Sequence, residues 1–378
     1  MERDRGGISM SFSFKAITDY LAQWAPLNYA EDWDNAGLQV GDEKKEVRKL
    51  LLALTPSENI INQAVNGGYD AIITHHPLLF KSIKSVTPKT AEGRKIIKLI
   101  QNDLVLASFH TNLDIAADGV NDCLANALGL ENVTHFVPMG VEKYYKIVVY
   151  VPNEFKNLVR EAVCAAGCGH VGNYKDCTFQ AKGKGTFTPL DGTNPFIGKV
   201  GELTYTDEIR LETIVPESKL NMALVAMIAA HPYEEPAYDV YELAKMGKKR
   251  SIGRIGYLPD ELPLEDVLKH IAKILNLEQL GYSGDLAKNV RKIALCGGSG
   301  GEYLANAQEA GADLYLTGDV KFHDYQKAEE LGIALVDGGH FATEKFILPQ
   351  MREYLAAEFP DLEINIAEER DFKQIMHI

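Results

Sequence analysis

Ala71-Ile72-Ile73-Thr74-His75-His76-Pro77 is the stretch that decides the fold. Three apolar residues in a row read as a short strand buried on both faces, the habit of parallel sheets. Pro77 biases His76 away from helix, so both imidazoles leave the strand on a bent, stiffened segment. Two other apolar runs end in the same manner. Leu104-Val105-Leu106-Ala107 leads into His110-Thr111-Asn112-Leu113-Asp114, and Ile333-Ala334-Leu335-Val336 leads into Gly338-Gly339-His340-Phe341-Ala342-Thr343-Glu344. Parallel sheets present their sites at the carboxyl ends of strands. Strand ends carrying imidazoles and carboxylates point to a metal site.

Working outward, short apolar strands alternate with helices. Helical spacing of Ile17, Tyr20, Leu21 and Trp24 predicts a helix over Phe14–Trp24. Glu31–Gly41 is rich in Asp, Asn and Gly and reads either as an ordinary turn or as a loop closing over a site. Lys49–Leu54 is a strand, and Ser57 caps a helix that Gly67-Gly68 ends. Helices follow near Arg94–Gln101 and Gly119–Leu128. The pattern changes near Val141. From there the order is strand, helix, two long β-like runs (Cys177–Phe187 and Val200–Val215), helix, strand, which is the ferredoxin-like βαββαβ unit. After a basic linker, Lys245–Arg250, the α/β alternation resumes. The expected fold class is therefore α/β: two similar lobes with mostly parallel sheets, at 12–140 and 250–378, interrupted by an inserted domain at 141–246. Each flank has a strand, a helix and a later strand whose end carries His, which suggests an internal repeat.

Composition narrows the function. The 378 residues are 46% hydrophobic, enough for a large core. The net charge of −14 disfavours a general nucleic-acid binder, unless Lys245, Lys248, Lys249 and Arg250 cluster across subunits. The cysteines, Cys123, Cys164, Cys168, Cys177 and Cys296, are odd in number and scattered, as expected of free thiols in a reducing, cytoplasmic setting. A small zinc site at Cys164, Cys168, Cys177 and His170 is the alternative. No run is long and apolar enough for a transmembrane helix. Met1–Met10 lacks an apolar h-region and reads as a loose leader rather than a signal peptide.

His340 and Glu344 are four apart, on one face of a helix. Adjacent residues in extended chain point to opposite sides, so one metal is not expected to take both His75 and His76. Two metals, bridged by Glu344 or Asp114, is the natural expectation. Imidazole with carboxylate suits Zn, Fe, Mn or Ni, and the absence of cysteine argues against a closed structural zinc site. Paired divalent cations activate water for hydrolysis. His110 and His323 are the candidates to shuttle protons, although His110 alone also reads as a core histidine. Gly297–Gly301 before a helix is either a phosphate cradle or a tight turn. Thr317–Asp324 either lines the cleft and supports the ligands or is structural.

Taken together, Asp32-Trp33-Asp34-Asn35-Ala36-Gly37-Leu38-Gln39-Val40-Gly41, Thr74–Pro77, His110–Asp114 and Gly339-His340 with Glu344 resemble the Nif-three-like dinuclear metal proteins, often labelled GTP cyclohydrolase 1 type 2 homologs. The resemblance covers both flanks. The middle segment, with His231-Pro232-Tyr233-Glu234-Glu235-Pro236, resembles the PII- or CutA-like insert of the longer bacterial members. The resemblance implies a dinuclear site between two similar lobes, with His75, His76, Asp114, His340 and Glu344 as ligands, Glu344 as the bridge and His110 as a ligand or close neighbour. It also implies a homohexamer. The activity it suggests is metal-dependent hydrolysis of a nucleotide or similar anionic small molecule. A non-catalytic metal-binding assembly regulated through a ligand-sensing insert is the alternative.

Overall fold

The structure, a computed structural model, describes residues 10–244, 247 and 249–373. Residues 1–9 and the linker residues Lys245 and Lys248 lie outside the described residues. The fold is mixed α/β with several sheets, and the chain divides into two compact units, Met1–Met139 with Arg250–Ile378, and Gly140–Lys249.

In the first unit one sheet has the strand order Glu363–Ile366, Lys49–Ala53, Ala71–Thr74, Val105–Ser108, Gly37–Val40. All neighbours are parallel except the Gly37–Val40 edge. Side-chain alternation sends Ile72 to one face, where it meets Ile60, Ile61 and Leu99 of the helices Glu58–Asn66 and Ala91–Gln101. Ile73 goes to the other face and joins Ile17, Leu21 and Met351 from the helices Phe14–Trp24 and Ile347–Glu358. Covering both faces is what a strand with no polar side needs. The helix starts follow the sequence locally: Ser13 Oγ accepts from Ala16 N, Ser57 Oγ from Ile60 N and Thr90 Oγ1 from Gly93 N.

The second sheet of this unit has the order Gly281–Ser283, Ala334–Asp337, Leu314–Gly318, Asn289–Ser299, Lys249–Pro263, Glu131–Val141. Asn289–Ser299, Leu314–Gly318 and Ala334–Asp337 run parallel, while Gly281–Ser283 and Lys249–Pro263 add to them antiparallel. This sheet is therefore more mixed than expected, with a parallel core of three strands and antiparallel strands on either side.

The two sheets share a local device. Asp70 stands just before Ala71–Thr74, and its Oδ2 accepts the backbone N–H groups of Arg48 (2.8 Å) and Lys49 (3.0 Å). Asp313 stands just before Leu314–Gly318, and its Oδ2 accepts those of Arg291 (3.0 Å) and Lys292 (2.8 Å). The segments clamped, Val47-Arg48-Lys49-Leu50 and Val290-Arg291-Lys292-Ile293, are identical at three of four positions and differ only as Leu against Ile at the fourth.

The unit Gly140–Lys249 holds an antiparallel sheet of order Tyr238–Leu243, Tyr144–Pro152, Thr204–Pro216, Thr178–Phe187. Helices Lys156–Ala165 and Leu220–Ala230 pack on one face through Val159, Val163, Ala223 and Met227 against Ile147, Val149, Ile209 and Leu211. The long run expected from Val200 enters the sheet only at Thr204. Gly198 and Gly201, at φ 88° and 80°, turn the preceding chain out of the ladder.

Candidate metal centre

The Ala71–Thr74 strand stops at Thr74, whose Oγ1 donates to the His76 carbonyl (2.7 Å) and bends the chain. That bend removes the strand alternation expected for His75 and His76. Their rings converge instead, with centroids 4.9 Å apart. Val105–Ser108 ends at the short helix Thr111–Ile115, which carries Asp114, and His110 precedes it. Ala334–Asp337 ends at the short helix His340–Glu344, where the four-residue spacing puts His340 Nε2 3.1 Å from Glu344 Oε1.

The atoms close on one point. His76 Nε2 lies 3.1 Å from His340 Nε2 and 3.2 Å from Glu344 Oε2. His75 Nε2 lies 3.6 Å from Glu344 Oε1 and 3.7 Å from Asp114 Oδ1. Two groupings of ligand atoms result, His75 with His76 and His110, and His76 with His340 and Glu344. Asp114 adjoins the first through His75. His323 belongs to neither grouping. It is exposed at the start of the helix Phe322–Leu331, with its ring against Phe322.

Every imidazole is held from behind through Nδ1. His75 Nδ1 donates to the Phe109 carbonyl (2.9 Å), and His76 Nδ1 pairs with Thr55 Oγ1 (2.8 Å). His110 Nδ1 pairs with Asp34 Oδ1 (2.8 Å) and His340 Nδ1 with Asp319 Oδ2 (2.7 Å). Outer bonds of this kind leave Nε2 free to face a cation. His75 Nε2, Asp114 Oδ1 and Glu344 Oε2 are buried and have no hydrogen-bond partner, a costly arrangement unless something charged sits between them. Ligand atoms about 2.1 Å from one cation stand roughly 3.0–3.4 Å apart, which matches the spacing around Glu344. The residues present fit a divalent metal.

The electrostatics agree. Burial alone lowers the His75 pKa, but the Asp114 and Glu344 carboxylates outweigh it and raise it to about 9. Burial likewise opposes, and Glu344 and Asp319 overcome it, in raising His340 to about 10. Burial pushes Asp114 up to about 6 despite its histidine neighbours. Glu344 is held well below the usual carboxylate range by His76, His75 and His340, which together outweigh its burial.

Some of the site's residues stayed open or unseen in the sequence. Asp34 also accepts Thr111 N (3.0 Å) and Thr111 Oγ1 (2.6 Å), and these bonds with His110 override burial to hold it at about 2. Asn35 Nδ2 donates to the Leu79 carbonyl (2.7 Å), and Gln39 Oε1 accepts Leu79 N (3.1 Å). The Glu31–Gly41 segment is thus tied to the chain just past His76. Asp319 adopts a left-handed φ of 54° beside His340, so its role comes with local backbone strain. In the Gly297–Gly301 run, Gly298 has φ +67° and a side chain there would strike the Glu344 carboxylate. Those glycines make room for a ligand. The cysteines take no part: among the described residues all five are free, and burial pushes the Cys168 thiol up to about 12.

Comparison with known proteins decides the family. The model for DUF34/NIF3, NGG1p interacting factor 3, matches residues 12–371. The chain belongs to the DUF34/NIF3 family. Among family relatives, a GTP cyclohydrolase 1 type 2 homolog of Halalkalibacterium halodurans is 42% identical over 90% of this chain and 91% of its own. One of Bacillus subtilis is 39% identical over 89% and 90%. The crystal structure of a Bacillus cereus protein related to NIF3 superposes with a TM-score of 0.78 at 37% identity, covering 98% of this chain and all (100%) of that one.

Proposed function

We propose that this NIF3-family chain is a dinuclear metal-dependent hydrolase acting on a nucleotide or similar anionic small molecule. The observation that carries the proposal is the trio of buried, unpartnered atoms, His75 Nε2, Asp114 Oδ1 and Glu344 Oε2, in one cluster of imidazoles and carboxylates. In this reading His75 and Asp114 would hold one divalent cation (Zn, Fe, Mn or Ni), His76 and His340 would hold a second, and Glu344 would serve both. A cation pair supplies Lewis acidity, which acidifies water and neutralises an anionic substrate group.

The chain's own groups account for the rest. Asp34 orients His110, which stands beside His75 and His76 to take or return a proton. His323, exposed and in neither ligand grouping, is the weaker of the two candidate proton carriers. Trp33 and Phe80, both more than half exposed, lie with ring centroids 6.0 and 6.4 Å from His110, a setting suited to stacking a flat base. The names of the curated relatives, GTP cyclohydrolase 1 type 2 homologs, favour a guanine nucleotide as the first substrate to try.

The proposal extends to architecture. The matched Asp70 and Asp313 clamps support reading the Met1–Met139 and Arg250–Ile378 segments as two similar lobes, and the antiparallel sheet of residues 140–249 supports a ferredoxin-like, PII- or CutA-type insert. The assembly proposed is a homohexamer. The second reading, a non-catalytic assembly regulated through that insert, rests on the cavity described below.

The test is metal content per chain with GTP and a nucleotide panel assayed before and after chelation, using Glu344→Ala as control. About two metals per chain and chelator-sensitive turnover are expected. Two metals without turnover across the panel would move the assignment to the regulatory assembly. No metal after reconstitution, with Glu344→Ala indistinguishable, would remove the centre itself.

A further inference from the structure

The motif His231-Pro232-Tyr233-Glu234-Glu235-Pro236 has no part in the metal centre. Its Tyr233, Glu234 and Glu235 line a cavity of about 670 Å³ in the Gly140–Lys249 unit, the size of a small organic ligand's site. The cavity lies on the sheet face opposite the two helices. On Thr204–Pro216, Ile209 and Leu211 point to the helices, so Glu208 and Arg210 point the other way. Across the register, Glu208 faces Gly183, Thr206 faces Gly185 and Arg210 faces Ala181. The edge strand therefore offers the cavity almost bare backbone. Neither Gly183 nor Gly185 has a left-handed φ, so no turn calls for them. A glycine inside a strand marks close approach by a ligand or another backbone. At Gly183 a side chain would meet nothing within 4 Å, so the bare patch opens on the cavity and not on the core.

The walls are aromatic. Phe187 and Phe196 each lie 6.1 Å from Tyr233, ring centre to ring centre. The segment 188–197 forms one side and is pinned by Asn194 N donating to Glu234 Oε1 (3.1 Å). One charge inside has no counter-ion. Glu208 Oε1 accepts the Tyr233 hydroxyl (3.2 Å), its Oε2 lies over Gly185, and among the described residues no cation pairs with it. Arg210 on the same face is already engaged, with its Nε on Glu212 Oε1 (2.8 Å). Lys182 and Lys184 border the cavity one residue out of phase with the glycines, and Lys184 Nζ lies 3.9 Å from Asp207 Oδ1. Exposed Glu235 adds a further carboxylate at the rim.

We propose that this cavity binds a small organic cation, an amine or amidinium on a flat or apolar body, with the head on Glu208 and the body between the glycine floor and the Phe187, Phe196 and Tyr233 rings. Flat cations gain from both the carboxylate and the aromatic faces.

The test uses the full-length, metal-loaded protein titrated with benzamidine, and with benzoate as an anion of the same shape, by calorimetry and ligand-observed NMR. Benzamidine should bind saturably and benzoate should not. Glu208→Gln should weaken benzamidine at least about tenfold, the loss expected of a charge-assisted hydrogen bond. Gly183→Val, which fills the floor without touching the fold, should abolish binding with the melting temperature retained. Glu344→Ala, in the other unit, should bind benzamidine as the parent does. Absence of saturable benzamidine binding, equal binding of benzoate, or benzamidine binding that survives both Glu208→Gln and Gly183→Val would overturn the proposal.

Discussion

Four imidazoles share a grammar: Nδ1 is bonded outward, and Nε2 of His75, His76 and His340 meets the carboxylates. Asp34 and Asp319 do for His110 and His340 what a backbone carbonyl does for His75. Removing such an outer partner costs metal affinity about 10–100-fold. Asp319→Asn, behind the ligand His340, should lower affinity by that order, as metal competition with a coloured chelator would measure. Unchanged affinity would mean that His340 needs no outer orientation. The raised histidines also set a pH dependence. With folded pKa values of about 9 for His75 and about 10 for His340, both are protonated in the metal-free protein at neutral pH. Metal loading near pH 7 should then expel about two protons, seen as a buffer-dependent calorimetric heat. Their contribution to metal-free stability is complete below about pH 6.5 and is lost as pH rises through about 9 to 10. The melting temperature without metal should fall across that window, and the metal-loaded protein should not share the fall.

At the scale of elements, three parallel strand ends place the ligands, and glycine placement lets them meet. Gly298→Ala combines a left-handed φ with a collision against Glu344. It should cost about 1–3 kcal/mol of stability and most of the metal content, measured by thermal melts and elemental analysis. The Asp70 and Asp313 clamps give a paired prediction. Asp70→Ala and Asp313→Ala each free two backbone N–H groups at the head of a strand, and each should cost about 1–3 kcal/mol in denaturant melts. Very unequal costs would argue against reading the two halves as equivalent. Element positions were largely legible in the sequence: Phe14–Trp24 matches residue for residue, and Ala71–Thr74 matches because a run apolar on both faces has few places to go. Boundaries failed where glycines intervened, as at Val200, where φ is a backbone property that residue polarity does not report.

For the whole molecule, the proposal commits to an oligomer. Light scattering on the intact chain should return six copies, and a monomer or dimer at micromolar concentration would remove the ring from the proposal. No described helix is long and apolar enough to cross a membrane. The Gly140–Lys249 unit carries its own cavity and its own test, so a failed benzamidine titration leaves the metal centre standing, and the reverse also holds.

The sequence by itself determined that imidazoles and carboxylates would stand at the ends of buried strands, because a short apolar run followed by polar residues at Pro77, His110 or Gly339 allows little else. Only the tertiary structure decided which of them meet. His76 and His340 are 264 positions apart, and Asp34 reaches His110 across 76. The first contact depends on how two sheets pack and the second on the pairing of Gly37–Val40 with Val105–Ser108, and no local pattern encodes either. The convergence of His75 and His76 likewise waited on a bend made by the Thr74 hydroxyl. The bare backbone at Gly183 became the floor of a cavity only once the 188–197 segment and Tyr233 closed around it.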